Sequence, residues 1–474
     1  MYEKNRLHPI TIIYRMIKHF KELVFPFIGL ILVGGRPSEW GILTFILISV
    51  FLIGFILTCI LSWYYFTFYL AEGELRIEYG VFVKKQRYIP FERIQSIDYT
   101  EGLLHRPFHL VKVKIETAGS SEEAEAELTA IRKSEAENLK AFITNSLRGF
   151  SKEEKDVSIQ EEEIIYRITN RQLMVLAATS GGIGVIISAV FAFISQFEDF
   201  IPYGMIFSHI RQFVHNGVVL IAMIVFLVFL ILWICSLLIT ILKFANFTLS
   251  KSEKDIIITR GLFEKKQLTI PLERIQAIKI SESIIRQPFN LVSLNIISAG
   301  GSVVDIEAST VLTIPIVKMK DLGKICERIV PDYEIDKSIT PLPTRALWRY
   351  MLRNSWFAIP IAFLLIYNFH GWGLLSLVLF ILLPLWGYLK YRSAGYYLSN
   401  RQLTLCTRQV DKSTIIMMRN RIQALSCTEG PWQRQSQLGS VYSHVASGSG
   451  VAATVVKDMS IEDVQKIYNW YSLK

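Results

Sequence analysis

The sequence is poor in charged residues, and it has few cysteines. Only 19% of its 474 residues are Asp, Glu, Lys or Arg, whereas 51% are hydrophobic. This composition is too apolar for an ordinary soluble chain and is typical of a multi-pass membrane protein. The five cysteines have no spacing that indicates a zinc site or a disulfide framework. We therefore expect no metal, no other cofactor and no disulfide bonds.

The motifs of the common enzyme classes are also missing. The chain contains no Gly-x-x-x-x-Gly-Lys-[Ser/Thr], no His-Glu-x-x-His, no Gly-x-Ser-x-Gly and no dinucleotide-binding fingerprint. No set of residues therefore predicts a catalytic centre. We expect a protein that is not an enzyme.

Long uncharged apolar stretches are what the chain does contain. A helix needs roughly 20 residues to cross the hydrocarbon layer. Four stretches are clear, and two shorter ones each come directly before a clear one: Leu23–Gly35, Trp40–Ser62, Leu173–Ser195, Gly217–Leu242, Ser355–Phe369 and Gly371–Leu389. We predict six transmembrane helices in three hairpins.

The distribution of basic residues predicts the orientation of these hairpins. The three turns that we place outside contain only Arg36 and Arg211 of the 51 basic residues. Because Lys and Arg near span ends stay in the cytoplasm, both termini and all intervening modules are predicted to be cytoplasmic. The net charge of +10 suits this topology signal, or attraction to anionic lipids, better than nucleic acid.

A long internal repeat connects the segments between the hairpins. Glu92-Arg93-Ile94-Gln95 recurs 181 residues later as Glu273-Arg274-Ile275-Gln276, and a divergent third copy contains Arg421-Ile422-Gln423. In each copy, short strand-like runs precede an amphipathic helix, which predicts a partly open β-barrel closed by a helix. The organisation read from this pattern is a hairpin at 1–65, a module at 66–150, an acidic linker at 151–172, a hairpin at 173–243, a module at 244–333, a hairpin at 334–393 and a divergent module at 394–474.

The repeated motifs resemble those of the bacterial PH-domain membrane proteins, especially members with three repeats. The resemblance rests on Gly-x-Phe, Lys-Lys, Ile-Pro, Arg-Ile-Gln and Pro-Phe-x-Leu, and it covers essentially the whole chain. It implies a bacterial plasma-membrane location and a PH-like β-sandwich with a C-terminal helix in each module. The third copy departs from the pattern at Arg408, where glycine is expected, and at Met418, where proline is expected.

Two groups of basic residues are candidate binding residues. Lys84, Lys85 and Arg87, with Lys265 and Lys266, follow the first turn of their modules, where eukaryotic PH domains place headgroup-binding lysines; a solvated hairpin tip is the alternative. Arg93, Arg274 and Arg421 recur at one position in all three copies. An arginine there can clamp a phosphate or a lipid headgroup, although an ion pair or loop anchor inside each module is the favoured explanation.

These observations predict a membrane scaffold that presents three PH-like modules to a protein, to other copies of itself or to lipid headgroups. The expected partners are the bilayer, anionic headgroups, and a smaller paralogous PH-domain membrane protein or a homo-oligomer. The alternative is a component of a transport or lipid-translocating complex. This alternative rests on the prolines of the first and fifth spans and on the glycines of the third.

Overall fold

The computed structural model describes residues 4–17, 19, 42–71, 73–117, 126–149, 163–180, 218–299, 310–335, 338–369, 376–447 and 450–472. Within these ranges the chain builds one set of elements three times. Each set has a leading strand, membrane-associated helices, three strands, a short 3-10 turn, three more strands and a closing helix. The repeat found in the sequence is therefore a repeat of structure.

Module 1 contains seven strands and a closing helix. They are β1 (Asn5–Arg6), β2 (Thr67–Ala71), β3 (Glu74–Tyr79), β4 (Lys85–Pro90), β5 (Ile94–Glu101), β6 (Leu110–Thr117) and β7 (Ala126–Arg132), with α1 (Ile42–Tyr64) between β1 and β2 and α2 (Lys133–Gly149) at the end. Residues 10–17 are also helical.

Modules 2 and 3 repeat this order. Module 2 contains β8 (Glu163–Arg167), α3 (Asn170–Thr179), α4 (Val218–Phe244), β9 (Thr248–Lys251), β10 (Asp255–Arg260), β11 (Lys265–Pro271), β12 (Ile275–Glu282), β13 (Leu291–Ser298), β14 (Thr310–Lys318) and α5 (Met319–Ile329). Module 3 contains β15 (Thr340–Pro341), α6 (Ala346–Ser355), α7 (Ala358–Phe369), α8 (Leu379–Ser393), β16 (Gly395–Leu398), β17 (Gln402–Arg408), β18 (Lys412–Met418), β19 (Ile422–Thr428), α9 (Pro431–Gln435), β20 (Leu438–Ser447), β21 (Gly450–Ser460) and α10 (Ile461–Ser472).

The sheets do not stop at the module boundaries. The two seven-stranded sheets have the orders β7-β6-β5-β11-β10-β9-β8 and β14-β13-β12-β18-β17-β16-β15. The last three strands of one module therefore join the first strands of the next. A four-stranded sheet, β1-β2-β3-β4, and a three-stranded sheet, β19-β20-β21, remain at the two ends. This arrangement differs from the three separate barrels that the sequence suggested.

Each leading strand belongs to the module that follows its hairpin. Glu163–Arg167 lies inside the predicted acidic linker 151–172, yet it pairs with β9 beyond the second hairpin. Asn5–Arg6 and Thr340–Pro341 pair in the same way with β2 and β16. The predicted linker thus contains a strand, which the acidic run hid although the apolar pair Ile164–Ile165 lies within it.

Glycine at the first turn is required by geometry in the first two modules. Gly80 and Gly261 have φ angles of 111° and 108°, and a Cβ on either residue would lie 2.0 Å from a backbone oxygen. Only glycine adopts this region without strain. Arg408, at the equivalent place in module 3, instead ends β17 opposite Lys412, so the third turn is a tighter hairpin.

The apolar helices agree in part with the predicted spans. Within the described residues, Phe226–Phe244 and Ala346–Asn368 are long and apolar enough to cross a membrane, and Ser49–Tyr64 is a shorter apolar helix. The first predicted span and most of the third lie outside the described residues. Phe226 and Met223 of α4 are 64% and 65% exposed, as expected for side chains that face lipid. Six spans stay a prediction.

Candidate functional site

The two lysines predicted in module 2 lie at the junction between modules 1 and 2. Lys265 and Lys266 begin β11, and they pair across the junction with Glu101 and Thr100 of β5. Lys266 also lies 3.7 Å from Glu264. Both lysines therefore stand where a neighbouring module is already attached, instead of at a free hairpin tip.

Their counterparts in module 1 are free of such a neighbour among the described residues. Lys84 directly precedes β4, and Lys85 and Arg87 lie on it; all three are exposed. β4 pairs with β3 along one edge, and no described strand covers the other. The guanidinium of Arg87 lies 5.7 Å from the ring centre of Tyr79. One sequence motif thus occupies a paired junction in module 2 and an unpaired edge in module 1, among the described strands.

The three recurrent arginines occupy equivalent 3-10 turns, between the third and fourth core strands of each module. Arg93 is exposed, whereas Arg274 and Arg421 are half-buried. Burial lowers the pKa of Arg274, although the negative charges of Glu116 and Asp255 oppose this effect. Since Glu116 belongs to module 1, Arg274 faces the preceding module, which supports the structural explanation at this position.

Arg421 faces a groove between modules 2 and 3. The groove has a volume of about 1370 Å³ and is lined by four basic side chains and one acidic one: Lys251, Arg401, Arg419, Arg421 and Asp332. Tyr333, Tyr468 and Tyr471 line it as well. Because both modules supply walls, the groove exists only when the modules are joined.

Not every cation in this groove is available to a ligand. Lys251 Nζ donates to the carbonyl of Arg328 at 2.7 Å, and Arg419 stacks over Trp470 with its guanidinium 5.6 Å from the ring centre. Arg401 is exposed and Arg421 half-buried. Burial raises the pKa of Tyr333 to about 12, and the charge of Arg421 opposes that rise. Arg401 and Arg421 are thus the cations best placed to meet an anionic group.

A second set of residues, which sequence reasoning missed, ties the loop after the fourth core strand to the last strand of its module. His105, Arg286 and Gln433 are equivalent positions, and each bonds the last strand of its module: His105 Nε2 lies 2.8 Å from the carbonyl of Thr129, Arg286 reaches the carbonyl of Pro315, and Gln433 donates to Asp458. Arg286 also donates to Thr179 Oγ1 at the end of α3, at 2.8 Å. Only the repeat offset could have found this position, since the residue type changes in every copy.

Asp458 extends this contact in module 3. Its carboxylate is fully buried and accepts bonds from Arg349 and Arg353 of α6 at 2.9 and 2.8 Å. Burial alone would raise the pKa of Asp458, but the bonds from Gln433, Arg349 and Arg353 hold it below its usual range. The first helix of the third membrane segment is therefore tied to the module by a charged cluster.

Sequence reasoning also missed a recurrent acidic position. Glu101, Glu282 and Glu429 occupy one place in the three copies, and Lys84, Lys265 and Lys412 occupy another. At the second junction, Glu282 and Lys412 form an ion pair of 2.8 Å. The same constant offsets that revealed the arginines and the lysines would have revealed the glutamates.

Repeated two-sheet PH-like modules, joined edge to edge and built onto apolar helices, define a membrane protein of the PH-like class. Comparison with protein families agrees: the family described as bacterial PH domain matches residues 24–147, 189–331 and 357–474. The chain belongs to this bacterial PH-domain family.

A curated relative supports the same assignment along the whole chain. The UPF0699 transmembrane protein YdbT of Bacillus subtilis (strain 168) is 36% identical over 491 residues, which cover 100% of this chain and 99% of the relative. No solved structure matches the chain. The protein is therefore a membrane protein with repeated bacterial PH domains.

Proposed function

We propose that this protein is a non-enzymatic membrane scaffold whose three PH-like modules work as one joined array. The observation that carries the proposal is the groove around Arg421, which two modules form together. Six membrane spans would hold the array at the cytoplasmic face of the bacterial plasma membrane. There the groove would bind a phosphate-bearing group such as an anionic lipid headgroup.

The chemistry of the groove favours a phosphate over a neutral group. Arg401 and Arg421 present forked donors, and such guanidinium groups bind phosphate oxygens bidentately. Four lining cations against one carboxylate give the groove a positive potential. The tyrosine rings supply an apolar wall for the glycerol part of a headgroup.

The test of this binding uses the full chain, because the modules share sheets and core residues. Glycerol phosphate is titrated into the detergent-solubilised protein, and its ³¹P signal is followed by nuclear magnetic resonance. We expect saturable broadening that Arg421→Gln weakens on the order of tenfold, which is the loss of about 1.4 kcal/mol.

Arg93→Gln is the matched control, since Arg93 occupies the equivalent turn of module 1 and is not among the residues that line this groove, and this variant should bind as the parent does. Equal binding by both variants, or no saturable binding at all, would refute the groove as the site. Movement of labelled lipid between leaflets of vesicles that contain the purified chain would instead favour lipid translocation.

The cytoplasmic orientation can be tested with a native thiol. Cys427 lies on β19 and is half-buried, so a membrane-impermeant maleimide should reach it in inverted vesicles but not in intact cells. Mass spectrometry identifies the labelled peptide. Labelling of Cys427 from outside intact cells would reverse the proposed topology.

A further inference from the structure

At each end of the array, one strand lacks a neighbour that its internal equivalents have, among the strands that the structure describes. In module 1, β4 pairs with β3 alone, and in module 3, β19 pairs with β20 alone, among the strands that the structure describes. The equivalent strands inside the array are paired on both edges, by β5–β11 and β12–β18. An unpaired edge is a template for pairing with another chain unless it is blocked.

The two internal junctions use one register. At the first junction Lys265 lies opposite Glu101 on the neighbouring strand, and at the second junction Lys412 lies opposite Glu282. Glu101 and Glu282 are equivalent in the repeat at an offset of 181 residues, and Lys265 and Lys412 at an offset of 147. Glu429 lies 147 residues beyond Glu282 and is the third member of the acidic set. Continuing the same register from β19 places Glu429 opposite Lys84 of a further first module.

The charges at the two ends match this continuation. Glu282 and Lys412 form a half-buried ion pair of 2.8 Å at the second junction. Glu429 and Lys84 are the corresponding residues at opposite ends of the chain, and both are exposed. Neither has an ion-pair partner among the residues that the structure describes. Lys84 of module 1 and Glu429 of module 3 therefore correspond to the two members of the Lys412–Glu282 ion pair.

Side chains on the two unpaired edges are exposed where their equivalents at the second junction are buried. Ala277 is fully buried at the second junction, whereas its equivalent on β19, Ala424, is exposed. Ile416 is 1% exposed there, whereas its equivalent on β4, Tyr88, is 50% exposed. In the continued register, Ala424 lies opposite Ile89, and Leu425 lies opposite Tyr88.

We propose that β19 of one copy pairs antiparallel with β4 of a second copy, so that the array continues head to tail from chain to chain. This is strand addition through main-chain hydrogen bonds, and its specificity comes from the Glu429–Lys84 pair. The interface joins two different surfaces, so copies form an open row or close into a ring. The leading strand of each hairpin lies at the outer end of the strand order in all three modules, so an added copy repeats the same sheet order.

This inference deepens the scaffold proposal by naming the partner as a second copy, and it rests on that proposal for its membrane setting only. The test uses the native cysteine of β19. In the continued register Cys427 lies opposite Gln86, and directly opposed residues of antiparallel strands have Cα atoms about 4.5–5.5 Å apart, which a disulfide can span. Gln86→Cys should thus give disulfide-linked dimers and higher multimers of the chain in native membranes treated with copper phenanthroline.

The reaction is run at alkaline pH, because burial raises the pKa of the Cys427 thiol. Arg87→Cys is the matched control, since successive side chains on a strand point to opposite faces. We expect the dimer band of Gln86→Cys to exceed that of Arg87→Cys on the order of tenfold, and to disappear when Cys427→Ser is added. Ser426→Cys with Arg87→Cys, in the Cys427→Ser background, should restore the link on the other face.

Charge reversal tests the pairing without relying on the disulfide alone. Lys84→Glu should reduce the Gln86→Cys dimer severalfold, and adding Glu429→Lys should restore it. Equal dimer from Gln86→Cys and Arg87→Cys would overturn the proposal, as would a link to a smaller protein in place of a doubled chain. Because the readout is a cross-link, loss of phosphate binding at the groove would leave it unchanged, and the two proposals fail independently.

Discussion

The two junctions inside the array use the same strand register but differ in the number of residue pairs that face each other. At the second junction six residue pairs face each other, and Ile416 of module 3 lies in the core of module 2 beside Ile278. At the first junction three pairs are formed, and then Asp98 Oδ1 accepts the N–H of Thr269 at 3.0 Å. A side chain thus takes the place of the next ladder bond. The shorter junction has Asp98 and Thr269 at the positions where the second junction has Lys279 and Ile416.

Ile416→Ala should weaken the second junction and so have the largest effect on the difference between the two junctions. Ile416 is 1% exposed and belongs to a core that two modules share, so its truncation should cost about 2–5 kcal/mol. The native thiols Cys326 and Cys406, both fully buried, report the opening of modules 2 and 3. We expect faster maleimide labelling of both.

The control for this experiment is Ile131→Ala in the core of module 1, which should leave the labelling of both thiols unchanged. If Ile416→Ala accelerated Cys406 alone, the cores would not be energetically joined.

Thr269→Ile would make the first junction resemble the second. Thr269 is equivalent to Ile416, and its buried hydroxyl has no hydrogen-bond partner among the described residues. Replacing an unsatisfied hydroxyl by an apolar group should stabilise the junction by about 1 kcal/mol. The labelling of Cys326 should become slower, whereas Thr269→Ser, which keeps the hydroxyl, should give no gain. Faster labelling in Thr269→Ile would contradict this account.

The ion pairs across the junctions should contribute unequally. Glu282 bonds Lys412 across the second junction with side chains 17% and 27% exposed, so Glu282→Gln should cost about 0.5–1 kcal/mol. Glu101 instead bonds Lys133 of its own module at 3.2 Å, so Glu101→Gln should affect its junction less. Thermal unfolding in detergent, followed by circular dichroism, compares the two variants. A larger loss for Glu101→Gln would reverse the ranking.

The smallest expected effect depends on pH at the first junction. Burial raises the pKa of Asp255, and the positive charges of Lys140 and Arg274 offset only part of this shift. When the folded-state pKa of a carboxyl lies above its unfolded value of about 3.9, the free energy of unfolding falls as pH rises from the unfolded value through the folded one. Below the unfolded value this loss of stability is absent. Asp255→Asn should therefore raise the unfolding temperature slightly at neutral pH. The difference should vanish below about pH 4.

The repeat made most of each module predictable. The period-two pattern at Val111–Glu116 and the fixed glycines Gly80 and Gly261 identified strands and turns that the structure contains. The alternation of apolar residues indicates which face of a strand is buried, but it does not indicate which strand lies beside it. The junctions were therefore missed, and Lys265 and Lys266 were interpreted as headgroup-binding residues or as a solvated hairpin tip, without the strand that lies beside them.

The leading strands and the groove could not be predicted from the sequence, for two different reasons. The leading strands Asn5–Arg6 and Thr340–Pro341 are two residues long, which is too short for any periodicity. The groove around Arg421 consists of residues far apart in the chain, such as Lys251 and Tyr468. Only the pairing of β12 with β18 brings its walls together, so an arginine could be predicted there but not its surroundings.

The leading strands also constrain the order in which the protein can be made. β8 and β9 are neighbours in one sheet, but the whole second membrane segment separates them along the chain. A ribosome must deliver that segment to the bilayer before the second strand emerges to find the first. Completion of each module edge therefore requires synthesis of a strand that lies far downstream of its partner.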